Sequence, residues 1–318
     1  MSDIDSDLLD LHQNNSGEMA EVALEEAGGD PSGWPPPEWS PQLSLDNMKE
    51  NGIQKAILSL TAPGATIAAT DQEARHLACK ANEYAAGLRD RHPDKFGFFA
   101  SLPSLMDIEG ALTEIHYAMD ILNADGVTLF TRYGDGNNYW GHSAELDKHK
   151  AVTFIHPTHP VDLARVNQLL PQPSIDYPQE TTRTAVDMII TNVTQRFSNC
   201  VKILSHAGGT LPFLVSRISV TSQETEDTKK TYGTTYGKTY ADIMDDLRSF
   251  HYDVALSSSP AVMKLLLELV PHDYITCGSD FPYAASDKIA GFRERLDGFS
   301  MTKRLREMIY FNNALGFI

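Results

Sequence analysis

The chain has 318 residues, 42% of them hydrophobic, with 43 acidic against 26 basic side chains and a formal charge of −17. That length fits one large α/β barrel or two ordinary domains, while the charge repels a phosphate backbone and excludes nucleic acid as a partner. No apolar run approaches the roughly 20 residues that span a bilayer, and the acidic start lacks the basic-then-apolar order of a secretion signal, so a cytoplasmic protein with no membrane partner is expected.

The first predicted element is a short strand at 8–12, which runs into His12-Gln-Asn14. Residues 17–27 are rich in helix formers and stop at Gly28-Gly29, a C-cap signal. The stretch 30–41 follows; its prolines and glycine forbid regular structure while Trp34 and Trp39 want burial, so it reads as an ordered loop over a cavity. From residue 43 helix and strand alternate. Helix 43–51 is stopped by Gly52, strand 55–60 precedes helix 71–91, strand 96–102 precedes helix 107–122, and strand 126–130 comes next. Strands at 151–156 and 201–206 flank a helix at 181–196, and the last two strands fall at 253–257 and 274–280.

Eight strands, most followed by a loop and a helix, argue for a closed (β/α)8 TIM barrel forming a single domain over 1–318, with an open doubly wound sheet as the alternative. The stretch 219–239 is Thr-rich, charged and short of aliphatics, and reads as a mobile polar insertion on the barrel. Cys79, Cys200 and Cys277 are widely spaced in apolar surroundings, which suits reduced core thiols better than a disulfide framework.

Three strands share one construction. The run Ala151-Val-Thr-Phe-Ile-His156, the run Val201-Lys-Ile-Leu-Ser-His206 and the run Tyr274-Ile-Thr-Cys-Gly-Ser-Asp280 each end in one ionisable group followed by proline, glycine or a glycine-like turn. In a barrel the strand ends converge on one face, so His12, His156, His206 and Asp280 meet although far apart in sequence. Imidazole nitrogen and carboxylate oxygen suit Zn²⁺, with Mn²⁺ as the other choice. The plain alternative for any one histidine is a hydrogen-bonded structural imidazole. His159, His76, His92, His116, His142, His251 and His272 are read that way, and Asp253 as a cap. Ser257-Ser-Ser259 lacks the glycine elbow of a serine nucleophile.

At these residues the chain resembles the amidohydrolase-related decarboxylases, the group that includes aminocarboxymuconate-semialdehyde, resorcylate and salicylate decarboxylases. The motifs are Phe154-Ile-His-Pro157, Ser205-His-Ala-Gly-Gly-Thr-Leu-Pro-Phe213, Tyr252-Asp-Val-Ala-Leu256, Gly278-Ser-Asp-Phe-Pro282 and Asn312-Asn-Ala314. Ala27-Gly-Gly-Asp-Pro-Ser-Gly-Trp34 and Gln172-Pro-Ser-Ile-Asp-Tyr-Pro178 resemble the 6-methylsalicylate branch of that group. The resemblance implies a divalent metal on His12, His156 and Asp280, His206 beside the substrate, and a homodimer in which Arg217 reaches the neighbouring subunit. It implies non-oxidative decarboxylation of a small aromatic carboxylic acid, a carboxy-lyase reaction in polyketide metabolism, with Asp280 as proton donor. Arg132 or Arg217 would pair with a carboxylate, and Trp34, Trp39 and Phe281 would wall the ring.

Where the family has a second imidazole, this chain has Asn14, whose neutral amide oxygen is a poorer zinc ligand. Two other readings follow: a metal-dependent hydrolase on the same scaffold, or a catalytically weakened accessory protein. Asn14→His is expected to raise metal affinity; unchanged metal content in the variant would place residue 14 outside the coordination sphere.

Overall fold

In the computed structural model, residues 8–15, 18–136, 144–222 and 238–316 are described. Eight strands lie in chain order, each parallel to the next: β1 (Leu8–Asn15), β2 (Ile53–Leu60), β3 (Phe96–Ala100), β4 (Gly126–Phe130), β5 (Val152–His156), β6 (Val201–Leu204), β7 (His251–Asp253) and β8 (Ile275–Thr276). The ring closes between the last strand and the first. Leu11 N–H donates to the Cys277 carbonyl at 3.2 Å, Asp280 N–H donates to the His12 carbonyl at 2.8 Å, and Gln13 bridges Phe281 in parallel. An open doubly wound sheet would leave those groups as free edges, so the closed (β/α)8 barrel is the architecture.

Alternation along the strands sorts the apolar side chains into two layers. Leu9, Leu11, Ile57, Phe99, Phe154 and Ile203 fill the inside of the ring, while Ala56, Leu58, Phe98, Leu129, Ile155 and Leu204 face the helices. The register of β1 against β2 slips between Asp10 and Gln13. Such a bulge re-aims the side chains that follow it, and it turns His12 inward, its ring 4.8 Å from that of Phe154.

Helices stand at each stretch where periodicity and capping put one, and further helices that were not expected join them. They include α1 (Glu18–Glu26), α2 (Pro41–Asn51), α3 (Asp71–Arg91), α4 (Ile108–His116), α5 (Ala144–Lys148), α6 (Asp176–Ile190), α7 (Val193–Arg196), α8 (Leu211–Ser222), α9 (Tyr240–Arg248), α10 (Pro260–Leu269) and α11 (Ser286–Asp297). Ser40 caps α2 and Gly52 ends it at φ 64°, a left-handed turn that suits glycine. Thr70 and Glu73 form a capping box on α3. The predicted helix 181–196 is two helices, because Asn192 turns left-handed at φ 61°. The predicted helix 107–122 ends as a wide turn over Tyr117–Ile121.

Two boundaries differ from expectation in ways that matter. The seventh strand is His251–Asp253, not 253–257, which moves Asp253 to the mouth of the barrel. The polar stretch 219–239 is ordered at both ends: Ser219 is buried within α8, and Thr239 caps α9. Residues 223–237 lie outside the described residues. Residues 30–40 carry no helix or strand, as predicted. The cysteines are free thiols. Among the described residues, no helix is long and apolar enough to cross a membrane.

One buried carboxylate spans the closing seam. Asp10 accepts from His12 N–H (3.0 Å), Gln13 Nε2 (3.2 Å), Ser279 N–H (2.9 Å) and Ser279 Oγ (2.5 Å). Burial pushes its carboxyl up to about 6 against the pull of Ser279. Asp10→Ala would leave these buried donors unpaired and should destabilise the fold by roughly 3–5 kcal/mol, read by urea denaturation.

Candidate functional site

His12, His156, His206 and Asp280 come together at the C-terminal mouth, each offering a ligand atom within 4.8 Å of the others. His12 sits beyond the bulge of β1 and His156 ends β5. His206 and Asp280 stand on the turns after β6 and β8, with left-handed backbones at φ 52° and 62°. Such conformations cost about 1–3 kcal/mol in a side chain of this kind. Here they turn the imidazole and the carboxylate into the cavity instead of along the strand.

Each imidazole is tied by its Nδ1. His12 Nδ1 donates to Asp253 Oδ2 at 2.8 Å, His156 Nδ1 to the Pro157 carbonyl at 2.8 Å, and His206 Nδ1 to the Ala255 carbonyl at 3.1 Å. A carbonyl only accepts, so the proton of each neutral ring is fixed on Nδ1 and the Nε2 lone pair points into the site. His12 Nε2 lies 3.2 Å from Asp280 Oδ1 yet makes no aligned hydrogen bond, and so is a buried polar atom without a partner. Asp253, read from sequence as a cap, is thus the carboxylate that orients His12. It also accepts from Ala255 N–H, a local cap within the same turn. The cue was available in the strand boundary: two residues' shift puts Asp253 at a strand's C-terminal end.

The electrostatics couple these groups. Burial alone would push the His12 imidazole down, but Asp280 and Asp253 together raise it to about 10. Burial and the His12 charge push His156 down to about 3. Burial opposes ionisation of Asp280, yet His12 and the other two imidazoles hold it at about 2. The neighbouring carboxylates of Asp280 and Asp253 therefore favour a proton on His12.

A cavity of about 320 Å³ opens from this cluster. Trp34, Tyr177, Leu256, Tyr283 and Phe292 line it together with His156, His206 and Asp280, and among the described lining residues there is no lysine or arginine. Asp30 and Ser32, which sequence reasoning did not single out, reach the same cavity from the loop at 30–40.

The remaining sequence candidates lie elsewhere. Arg132 donates to the His159 carbonyl at 2.9 and 3.3 Å and to the Gly134 and Gly136 carbonyls at 2.9 and 3.3 Å. Its guanidinium holds loop backbone together, so the expected pairing with a substrate carboxylate is not made by this arrangement. Phe281 packs into the layer under the helices, and Trp39 is buried with its Nε1 donating to Ser44 Oγ at 2.9 Å; neither lines the cavity. Arg217 is exposed on α8, outside the chain's own cavity. His159 is half-buried, and burial lowers it to about 4. The side chain of Asn14 and all of His142 lie outside the described residues.

A closed parallel barrel with three imidazoles and a carboxylate at its mouth defines an α/β-barrel enzyme competent to hold a metal. The chain belongs to the amidohydrolase family, which it matches over residues 7–317. It is 41% identical over 313 residues to a 6-methylsalicylic acid decarboxylase of Penicillium expansum, covering 96% of this chain and 94% of that one. It is 44% identical over 291 residues to a 6-methylsalicylic acid decarboxylase of Aspergillus aculeatus, covering 89% and 87%. Among solved structures it is similar to a dihydroxybenzoic acid decarboxylase from a Polaromonas species with bound manganese and the inhibitor 2-nitroresorcinol. That match has a TM-score of 0.73 at 21% identity and covers 98% of this chain and 96% of the other.

Gly278 packs where β8 passes β7 and β1: a Cβ there would collide with the Asp253 carboxylate and approach His12 Cβ to 2.7 Å. Gly278→Ala is expected to break the Asp253–His12 contact. A thermal melt should show a loss of several degrees, as a destabilisation of about 1–3 kcal/mol would produce.

Proposed function

We propose that the protein is a metal-dependent, non-oxidative decarboxylase of a salicylate-type aromatic acid, 6-methylsalicylate or a near relative such as orsellinate. The observation that carries this reading is a cluster of three imidazoles and one carboxylate, all buried but the half-buried His206, opening into an aromatic-walled cavity, in a chain alike over nearly its whole length to two 6-methylsalicylic acid decarboxylases.

The donor set fits a divalent cation. His12 Nε2 is buried without a hydrogen-bond partner, His156 stands edge to face with its ring at 5.1 Å between centroids, and Asp280 brings a carboxylate held ionised to the same cluster. His12, His156 and Asp280 would hold the ion, with Zn²⁺ preferred for imidazole and carboxylate ligands and Mn²⁺ the alternative. Bound there, the cation supplies Lewis acidity and a template for the adjacent hydroxyl and carboxylate of the acid.

The reaction adds a proton to the ring carbon that bears the carboxylate and releases CO₂ as the ring regains aromaticity. Asp280, kept as a carboxylate, takes the proton from the ortho hydroxyl of the bound acid and delivers it to that carbon. The product then leaves as a phenolate that is reprotonated by water, so charge and atoms balance. His206, with Nδ1 fixed on the Ala255 carbonyl, turns Nε2 toward the substrate and orients it. Trp34, Tyr177 and Phe292 enclose the ring and displace water from it.

The resemblance to the decarboxylase family carries the further proposal of a homodimer in which Arg217, exposed on α8, serves the partner's cavity. The hydrolase reading is not favoured by the likeness to decarboxylases. The accessory reading depended on Asn14 alone, and His12, His156 and Asp280 would supply ligands without it.

Incubating the purified chain anaerobically with 6-methylsalicylate should yield CO₂ and 3-methylphenol by mass. Chelation should stop the reaction and added Zn²⁺ or Mn²⁺ restore it, and Asp280→Asn should lower kcat by about 10²–10⁴. Metal-loaded protein that releases no CO₂ from any hydroxybenzoic acid would sink the proposal.

A further inference from the structure

At the end of the barrel away from the mouth, α4 leads toward the start of β4 and α5 toward the start of β5. Two imidazoles and two carboxylates pack together there. His116 ends α4 with Asp120 four residues on, and Glu145 lies four residues before His149, a spacing that puts each pair on one helical face. His116 Nδ1 is 3.2 Å from Asp120 Oδ2, and its Nε2 is 3.6 Å from Glu145 Oε1. His149 Nε2 is 3.2 Å from Asp120 Oδ1, and its Nδ1 is 2.9 Å from the Glu145 carbonyl oxygen. The rings stand edge to face with centroids 5.4 Å apart.

Both nitrogens of both rings therefore face oxygen. A neutral imidazole carries one N–H, so in each ring one nitrogen lone pair is aimed at an oxygen lone pair. Two extra protons or one divalent cation would resolve that conflict. The cation does so with ligand atoms already gathered: one each from His116, Glu145 and His149 lie within 4.8 Å of one another. Glu145 directs Oε2 to Lys148 at 2.7 Å, which leaves Oε1 on the side of the rings. The Glu145 and His149 side chains are only 16% and 17% exposed, whereas that of His116 is 53% exposed, so one side is open for a water ligand.

We propose that His116, Glu145 and His149 form a second metal site, selective for Zn²⁺ and similar imidazole-binding ions, with Asp120 accepting from His116 Nδ1 and so orienting that ring, and the Glu145 carbonyl orienting His149 through Nδ1. The site is structural. It staples α4 to α5 and so fixes the entries of β4 and β5, far from the chemistry at the mouth. It depends on none of the residues that carry the decarboxylase reading.

The test counts metal on the full chain after chelation, reloading with Zn²⁺ and desalting. Wild type should retain about one equivalent more than the His116→Ala/His149→Ala variant, whereas His156→Ala should keep that equivalent. Zn²⁺ should raise the melting temperature of His156→Ala, and adding the two alanine changes should abolish the rise. Decarboxylation by the His116→Ala/His149→Ala variant should match wild type. His116→Gln/His149→Gln, which keeps volume and polarity, serves as the second variant where the alanines impair folding. Equal zinc content in wild type and both double variants would overturn the site, whatever the mouth binds.

Discussion

The closing seam between β8 and β1 is the constraint on which the rest depends. A parallel ring gains its inner core only when the last strand meets the first. In this chain that meeting is made by backbone bonds from Leu11 and Asp280 and by the fan of hydrogen bonds on Asp10. The same few residues make the site. His12 follows Asp10 by two, Asp280 follows Ser279 by one, and Gly278 is the space through which Asp253 reaches His12. Closure and ligand geometry are therefore one event. A change that loosens the seam displaces two proposed ligands together.

Much of the architecture was legible because its signals are local. Proline or glycine shortly after His156, His206 and Asp280 marks strand ends, and barrel topology then converts three strand ends into one site. Helical spacing over 71–91 announces α3, and Gly52 ends α2. What sequence could not supply was information held in three dimensions. The bulge that turns His12 inward is a mismatch with β2 and leaves no mark on β1 alone. Asp253 looked like a cap because its hydrogen-bond partner lies 241 positions away. Arg132 looked like a carboxylate partner because charge is visible in a sequence and the backbone carbonyls that occupy a guanidinium are not.

The aromatic residues show the same division. Trp34 and Trp39 sit five apart in one irregular loop and carry the same sequence signal. One reaches the cavity, and the other is packed against Tyr84 with centroids 6.3 Å apart. Composition says that an indole is to be covered, not by what. Asp30 and Ser32, between those tryptophans and α1, reach the cavity because the loop folds back over the mouth, a path that no periodicity encodes.

The walls of the cavity hold no fixed cationic side chain among the described residues, since Arg132 is spent on the loop and Arg217 faces outward. Within its own chain, a carboxylated ring entering it would find its countercharge at the proposed ion. Once carbon dioxide departs, the remaining ring keeps its oxygen but has lost one of the two groups that the proposed ion would hold. Turnover thereby weakens its own grip on the molecule, which favours release of the spent ring.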